Sequence, residues 1–225
     1  MRYAARLASR LSPRSDAGGD PAIGGAFKRG FDIAGALAGI VLLSPLLVML
    51  AALVKFSDGG RVFYGHVRVG RNGSAFRCWK FRTMIENGDE VLAAYLAANP
   101  PERRQWDSIR KLQNDPRVSR VGAVLRKLSL DELPQLINVL RGEMSLVGPR
   151  PVVKDELKLY GNAAAYYLQS RPGLTGLWQV SGRNDVSYGA RVAFDRHYVE
   201  NWSFVSDLKI LVRTVPAVFS SRGSY

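Results

Sequence analysis

The sequence predicts an α+β protein, in which a small, mostly helical globular domain with a short β-hairpin follows an N-terminal membrane helix. Three observations support this fold class. Residues 33–54 carry no charge, residues 62–81 contain two short strand-like runs around a Gly-Arg-Asn-Gly turn, and several later segments have helical patterns. The length of 225 residues is that of one ordinary domain, so a second large domain is not expected.

The composition restricts the partners of the chain. Lys and Arg total 32 against 19 Asp and Glu, giving a formal net charge of +13 that attracts nucleic acid, anionic lipid or phosphorylated substrates. Cys78 is the only cysteine, which excludes an intramolecular disulfide and a cysteine-only metal site. Residues 1–25 combine Ser, Gly, Asp and Arg in no periodic order, so we expect a flexible basic tail.

The uncharged run predicts contact with a membrane. Its 22 residues, 33–54, meet the requirement of roughly 20 residues for crossing the hydrocarbon core of a bilayer. A buried helix of a soluble core is the alternative, although such helices are usually shorter and have a polar face. Ser44 and Pro45 lie at the centre of the run, where proline removes a backbone hydrogen bond and kinks a helix.

The flanks of this run indicate its topology. Basic residues stand at both ends, and the positive-inside tendency places both ends on the cytoplasmic side; they are Lys28, Arg29, Lys55 and Arg61. We therefore predict a re-entrant membrane helix over residues 26–56, bent at Ser44-Pro45, with a kinked bitopic span as the alternative. The Ser44 hydroxyl is expected to bond a carbonyl group that Pro45 leaves free.

The globular domain, residues 57–225, begins with the predicted hairpin. Residues 62–64 and 75–81 are the expected strands, with the turn at residues 70–73. Helices are expected over residues 84–98, 103–113 and 119–128. The C-terminal segment, residues 204–219, has apolar residues at helical spacing opposite Asp207, Lys209 and Arg213. It predicts an amphipathic helix that faces either the core or a membrane interface.

Two adjacent acids, Asp131 and Glu132, stand between basic and apolar residues. Ser129 and Glu132 have the spacing of a capping box, and Pro134 suits the first turn of a helix, so Asp131 is expected at a helix start. Free amide groups there attract anions, and Arg126 lies just upstream. The pattern predicts a site that handles phosphate.

Short motifs extend in one order over about residues 26–215. They are Lys28-Arg29-x-Phe31-Asp32, Ser44-Pro45, Arg68-x-Gly70-x-x-Gly73, Lys80-Phe81-Arg82-Thr83-Met84, Leu128-Ser-Leu-Asp131-Glu132-Leu-Pro134-Gln135, Met144-Ser-Leu-Val-Gly148-Pro149-Arg150-Pro151 and Arg171-Pro172-Gly173-Leu-Thr175-Gly176. The set resembles the bacterial sugar transferases, which are polyprenol-phosphate phosphoglycosyltransferases with one membrane-inserted helix. Two departures stand out: Arg61 where the family usually has proline, and His66 in place of a glutamine.

The resemblance implies an enzyme that starts exopolysaccharide synthesis at the cytoplasmic face of the bacterial inner membrane. It implies transfer of hexose-1-phosphate, galactose or glucose, from a UDP-sugar to undecaprenyl phosphate with release of UMP. Asp131 would be the nucleophile of a ping-pong reaction and a ligand of Mg²⁺. Residues 57–225 would form the catalytic domain. A homodimer is a further expectation, and nucleic acid is not an expected partner.

The resemblance also suggests binding roles for several residues. Glu132 is a second catalytic candidate for metal or proton handling, with a simple capping role as the alternative. Arg126 would bind lipid phosphate, since a guanidinium suits bidentate phosphate contact. Lys80 and Arg82 flank Phe81 and suit a substrate phosphate or the membrane surface. The candidates for nucleotide-sugar contact are Arg150, Arg171, Gln179 and Arg183, with a structural role in their turns as the alternative for Arg150 and Arg171.

Two questions stay open at this point. Trp178 suits base stacking, insertion at the lipid interface or core packing. A non-catalytic membrane scaffold for polysaccharide assembly would keep the same membrane segment, although the intact Asp131-Glu132 pair argues against it. A membrane-anchored nucleic-acid binder would be expected to have a stripe of basic residues with stacking aromatic side chains. An acid pair at a helix start does not fit that expectation.

Overall fold

The computed structural model describes residues 22–109, 112, 114–181 and 187–219. Its helices are α1 (Gly25–Asp58), α2 (Gly88–Ala98), α3 (Pro100–Ile109), α4 (Arg120–Lys127), α5 (Gln135–Arg141), α6 (Lys154–Lys158), α7 (Ala164–Gln169), α8 (Leu177–Ser181), α9 (Tyr188–Glu200) and α10 (Phe204–Phe219). Its strands are β1 (Phe63–Val69), β2 (Ala75–Phe81), β3 (Ser145–Val147) and β4 (Gly173–Thr175). The predicted mostly helical domain with a short hairpin and one long apolar N-terminal helix is confirmed.

Helix α1 has 34 residues, which corresponds to a length of about 51 Å. Among the described residues, α1 is the one helix that is long and apolar enough to cross a membrane. Only 11% of its most apolar window is buried, and large side chains such as Leu42 and Phe56 are 77% and 87% exposed. This exposure contradicts the alternative of a helix enclosed in a soluble core.

The helix continues through Pro45 without interruption. Proline cannot donate to the carbonyl four residues earlier, which belongs to Val41. The Ser44 hydroxyl donates to that carbonyl at 2.8 Å. The predicted compensation by Ser44 is therefore confirmed.

One stripe of α1 packs on the globular domain along both of its halves. Before Pro45, Ala36 is buried in the main core with Val139 and Met144. After Pro45, Leu50 and Val54 are buried in a second cluster that includes Phe81 and Leu125. The same domain therefore supports the helix on both sides of its centre.

Polar contacts fix the two ends of α1 to this domain. Near its start, Lys28 donates to Asp207 of α10 at 2.5 Å, and Asp207 also accepts from Tyr198 at 2.8 Å and from Trp202 at 3.1 Å. We call these four residues the anchor cluster. At the other end, Asp58 forms an ion pair with Arg82, which follows β2.

The hairpin is antiparallel, with Tyr64 opposite Lys80 and His66 opposite Cys78. Its first strand is longer than the predicted residues 62–64. Helix α2 begins four residues later than predicted and α3 three residues earlier, while α4 lies within one residue of its prediction. Helices α2 and α3 enclose their own small apolar cluster around Leu92 and Leu96.

The second sheet is a parallel pair, β3 and β4, that the sequence did not predict. Gly148 and Gly173 allow these segments to approach closely. A Cβ atom on Gly148 would lie 2.5 Å from the Arg171 carbonyl oxygen, and one on Gly173 would lie 2.1 Å from the Gly148 nitrogen. Because backbone atoms occupy both positions, glycine is required, and the Gly148-Pro149-Arg150 turn lies directly beside β4.

Helix α10 is amphipathic, as predicted, but its acidic residue points inward. Asp207 is fully buried, and Ile210 packs in the main core. The apolar residues of the outer face are exposed by 40–72%; they are Val205, Leu208, Val212 and Val215. The purely core-facing orientation is therefore wrong for this face of the helix.

Candidate active site

The side chain of Asn138 holds α5 against the outer edge of β2. Its oxygen accepts a hydrogen bond from the Trp79 backbone at 3.0 Å, and its nitrogen donates to the Arg77 carbonyl at 2.7 Å. Asn138 is fully buried. Because Lys80 follows on β2 and the acid pair precedes α5, this clamp brings the cation and the acids together.

A tight turn presents the acid pair. Asp131 and Glu132 lie in a 3-10 turn, Leu130–Glu132, immediately before Pro134 and α5. Ser129 has φ of 54°, a left-handed conformation that is uncommon for a residue other than glycine. Its side chain makes no capping bond, so the predicted capping box is wrong; the side-chain cap in this region is Ser119, at the start of the preceding helix α4.

Three cations surround the two carboxylates. Lys80 Nζ lies 2.7 Å from Glu132 Oε1 and 3.6 Å from Asp131 Oδ2. Arg150 Nη2 lies 3.2 Å from Glu132 Oε1, and Arg126 faces Asp131 electrostatically. We call these five residues the carboxylate cluster. Lys80 and Arg150 both bond Glu132, which leaves the Asp131 carboxylate beyond hydrogen-bond distance of its nearest ion-pair partner.

The two acids differ in their protonation chemistry. Burial raises the pKa of Asp131, and the neighbouring Glu132 raises it further, although Lys80 opposes both effects. Burial also favours neutral Glu132, but Arg150 and Lys80 outweigh it and lower the pKa of Glu132 to about 2. Glu132 is therefore the permanent counter-charge of the cations, whereas Asp131 is the more basic carboxylate and the better nucleophile.

Other predicted binding residues lie outside this cluster. Arg82 bonds Asp58 and the Arg61 carbonyl, so its predicted phosphate role stays a prediction that requires this pair to open. Arg171 donates to the Gly142 carbonyl at 2.9 Å, at the C-terminal end of α5. Gln179 lies within α8, and its buried side-chain oxygen has no hydrogen-bond partner among the described residues. Arg183 lies outside the described residues.

Trp178 is packed rather than open. Only 6% of it is exposed, and its ring contacts the guanidinium of Arg191 at 4.7 Å and that of Arg150 at 5.9 Å. Of the three interpretations from sequence, core packing matches this placement. Since Arg150 also bonds Glu132, the indole supports one of the cations of the carboxylate cluster.

A small cleft beside the cluster contains residues that sequence analysis did not assign to the site. In addition to Lys80, Glu132 and Arg150 it is lined by Arg68, Cys78, Gln135, Pro151, Gly173 and Leu174. The alternation of side chains along the strands could have indicated some of these residues. Cys78 and Lys80 lie on one face of β2, and Arg68 lies on the same face of β1. His66 lies between Arg68 and Tyr64 on that face, and burial lowers its pKa.

The donor set fits Mg²⁺ that is shared with a substrate. Asp131 and Glu132 offer two adjacent carboxylates, and Mg²⁺ is commonly held by one or two carboxylates together with substrate phosphates. In the part of the chain that the structure describes, no group of three or more His, Cys, Asp or Glu side chains could hold a metal without such help.

The fold and the cluster combine a long, exposed apolar helix with two buried carboxylates among cations, and comparison with known proteins identifies the class. Residues 23–221 match the bacterial sugar transferase family, and the chain belongs to it. Membership confirms the resemblance drawn from the motifs and the prediction of a phosphoglycosyltransferase.

Relatives resemble the chain over most of its length. The exopolysaccharide production protein ExoY of Rhizobium meliloti is 66% identical over 203 residues, covering 90% of each chain. A UDP-galactose-lipid carrier transferase of Erwinia amylovora is 56% identical, and an undecaprenyl-phosphate galactose phosphotransferase of Salmonella typhimurium is 52% identical. These two alignments cover 88% of this chain and 41% of each relative.

Proposed function

We propose that this protein transfers hexose-1-phosphate from a UDP-sugar to undecaprenyl phosphate and releases UMP, as the first membrane step of exopolysaccharide synthesis. Galactose is the favoured hexose and glucose the second, because two relatives that are more than half identical are named for galactose. The observation that carries the proposal is the Asp131 carboxylate, which has Lys80 at 3.6 Å, beyond hydrogen-bond distance, beside a Glu132 that is bonded by both Lys80 and Arg150.

In the first half-reaction the Asp131 carboxylate attacks the phosphorus that bears the sugar. A new bond forms between the carboxylate oxygen and phosphorus, the bond from phosphorus to the bridging oxygen breaks, and UMP leaves with that electron pair. Lys80 and Arg150 lie where they reduce the repulsion between the carboxylate and the diphosphate. Because Glu132 holds both cations in place, this stabilisation is preorganised.

In the second half-reaction an oxygen of undecaprenyl phosphate attacks the same phosphorus. The bond between phosphorus and Asp131 breaks, which regenerates the carboxylate and completes the lipid diphosphate-sugar. Two displacements with a covalent intermediate predict ping-pong kinetics. Bound Mg²⁺, held by Asp131 with Glu132 as a second ligand, would supply further positive charge for the phosphate oxygens.

The packing of α1 supports a re-entrant arrangement. One globular domain covers a stripe of both halves of the helix, and the Lys28–Asp207 and Asp58–Arg82 pairs fix both ends to it. A bitopic helix would have to release one of these halves to cross the bilayer. We therefore place both ends at the cytoplasmic face of the inner membrane, with the exposed apolar side of α1 in lipid.

The outer face of α10 extends this apolar surface. Phe204 at its start packs edge-on against Phe27 and Phe31 of α1, with ring centroids 4.9 and 5.0 Å apart. The exposed Val212 and Val215 continue from there along α10. An amphipathic helix with this arrangement suits the lipid interface, parallel to the membrane surface.

The reaction is tested by trapping the intermediate. Purified protein in detergent or nanodiscs is mixed with Mg²⁺ and UDP-galactose or UDP-glucose, without lipid acceptor, and examined by intact-mass spectrometry. We expect an added hexose phosphate with release of UMP, and transfer to undecaprenyl phosphate when the lipid is supplied. A non-catalytic scaffold would release no UMP and gain no mass, which would contradict the proposal.

The topology is tested by labelling. In a Cys78→Ser background, single cysteines at Ala26 and Ser57, which are exposed near the two ends of α1, report the side on which each end lies. We expect a membrane-impermeant maleimide to label both from the cytoplasmic side in inverted vesicles. Labelling of the two positions from opposite sides would establish the bitopic alternative.

A further inference from the structure

Thr83 is a buried residue to which the reaction assigns no role. It lies two residues after β2, is 8% exposed, and its hydroxyl oxygen accepts a hydrogen bond from Arg126 Nε at 2.8 Å. Its carbonyl accepts from the Ser119 backbone at 3.0 Å. Thr83 therefore contacts both the start of α4 and a side chain in its last turn.

Helix α4 is seated on Thr83 at van der Waals distance. A Cβ atom on Gly122 would lie 2.1 Å from the Thr83 carbonyl oxygen, so this position of the helix requires glycine. The Ser119 side chain caps the helix by accepting from the Gly122 nitrogen at 2.9 Å. Since Arg126 follows Gly122 by four residues, it lies on the same face of α4, one turn later.

This contact orients a guanidinium next to the nucleophile. Among the described residues, Arg126 makes one side-chain hydrogen bond, from Nε to the Thr83 hydroxyl. Its two terminal nitrogens therefore remain for other acceptors. The charged groups that face Arg126 are Asp131, Asp115 and Arg117. Asp115 is already bonded to Arg117, so Asp131 and an incoming phosphate are the remaining anions.

We infer that Thr83 is a positioning residue for the acceptor half-reaction, because its hydroxyl fixes Arg126 with two parallel donors available to the phosphate of the polyprenyl acceptor. A guanidinium held at Nε retains its planar pair of terminal nitrogens, which matches bidentate phosphate binding. The inference rests on the proposed function, since it assigns Arg126 to the lipid phosphate of that reaction.

The two half-reactions allow this role to be measured separately. Exchange of labelled UMP into UDP-sugar without lipid reports the first half-reaction, and turnover at varied undecaprenyl phosphate reports the second. Thr83→Val keeps the side-chain shape but removes the hydroxyl, and we expect it to raise the KM for undecaprenyl phosphate about tenfold. UMP exchange should stay within about twofold, because donor contacts are unchanged.

Three further variants separate positioning from structure. Thr83→Ser retains the hydroxyl and should restore the acceptor KM. Thr175→Val removes another buried threonine hydroxyl, bonded to Thr214 at 2.8 Å, and should leave the acceptor KM unchanged. Arg126→Met should raise that KM by itself, and adding Thr83→Val to it should have no further effect, because Thr83 acts through Arg126.

The inference is overturned if Thr83→Val leaves the acceptor KM unchanged, if it impairs UMP exchange equally, or if it adds its full effect to Arg126→Met. Failure of the proposed function is distinguishable, because then either the unchanged protein would release no UMP or Asp131→Asn would still release it. An inactive Asp131→Asn together with an unaffected Thr83→Val would refute only the role of Thr83.

Discussion

Two clusters of buried charge, the anchor cluster and the carboxylate cluster, each pair a buried aspartate with a lysine, but they differ in how completely the aspartate is hydrogen-bonded. In the anchor cluster Asp207 accepts from Lys28, Tyr198 and Trp202 at 2.5 to 3.1 Å. In the carboxylate cluster Asp131 has its ion-pair partner Lys80 at 3.6 Å. A satisfied buried acid stabilises the fold, whereas an under-satisfied acid surrounded by cations is available to a substrate.

The largest effect should come from Asp131→Asn in the carboxylate cluster. Loss of the nucleophile removes the covalent route, so we expect UMP exchange to fall by at least 10³-fold, on the order of the losses seen when a nucleophile is removed. The thermal midpoint should not fall, because the variant buries a neutral amide in place of a charge. Asp155→Asn, which changes an exposed acid, is the control. Comparable loss in both variants would show that the effect is not specific to the carboxylate cluster.

The anchor cluster should respond in stability. Lys28→Met leaves Asp207 buried without its cation, and we expect the free energy of unfolding to fall by about 3–5 kcal/mol. Lys158→Met breaks the Lys158–Asp155 pair, in which both side chains are more than two-thirds exposed, and should change it by less than about 1 kcal/mol. Denaturant titration of both variants measures the difference. Equal values would show that burial of the anchor cluster contributes nothing.

The acidic limb of the pH-rate profile reports the carboxylate cluster. Asp131 must be ionised to attack, and because its pKa is raised, activity should be lost as pH falls through a value above the ordinary Asp range. Lys80 is the main group that lowers this pKa, so Lys80→Met should move the limb to higher pH. Lys158→Met should leave it in place. A limb that stays fixed in Lys80→Met would contradict the assignment to Asp131.

The smallest effect is expected at Asp195, which interacts electrostatically with Arg150 and lies outside both clusters. It is 3% exposed, accepts from Tyr160 at 2.8 Å, and burial raises its pKa to about 7. A raised pKa means that its contribution to stability is full below the unfolded-state pKa and is lost as pH rises through about 7.

Because asparagine mimics the neutral form, Asp195→Asn should come closest to the parent near pH 4, about the pKa of aspartate in the unfolded chain. Near pH 8 the variant should be more stable by roughly 1–3 kcal/mol. Thermal unfolding at the two pH values gives the comparison. A stability difference that does not change with pH would show that Asp195 does not titrate there.

Sequence alone located several principal features of the fold and of the candidate site. The uncharged run predicted α1, the Gly-Arg-Asn-Gly turn predicted the hairpin, and proline chemistry predicted the bond from Ser44 to a freed carbonyl. The acid pair was singled out by its basic and turn-forming context. These features depend on spacing within a few residues, where local geometry decides the outcome.

Contacts between distant segments were harder to predict. Strands β3 and β4 have three residues each, too few for an alternating pattern, and their pairing depends on two glycines that are 25 residues apart. The capping box at Ser129 was wrong because the left-handed turn there overrides a spacing rule. The inward position of Asp207 was missed because its partner Lys28 lies 179 residues away.

By itself, the sequence determined the long apolar helix, the hairpin, the family and the candidate acid pair, because each is encoded by neighbouring residues. Only the tertiary structure decided which charged residues form ion pairs that hold the fold together and which remain available to a substrate. Arg82 and Lys28 are paired with acids of distant elements, whereas Lys80 and Arg150 converge on Glu132, and Lys80 lies 3.6 Å from Asp131. The physical reason is that ion pairing and burial depend on distances in space, which the order of residues along the chain does not specify.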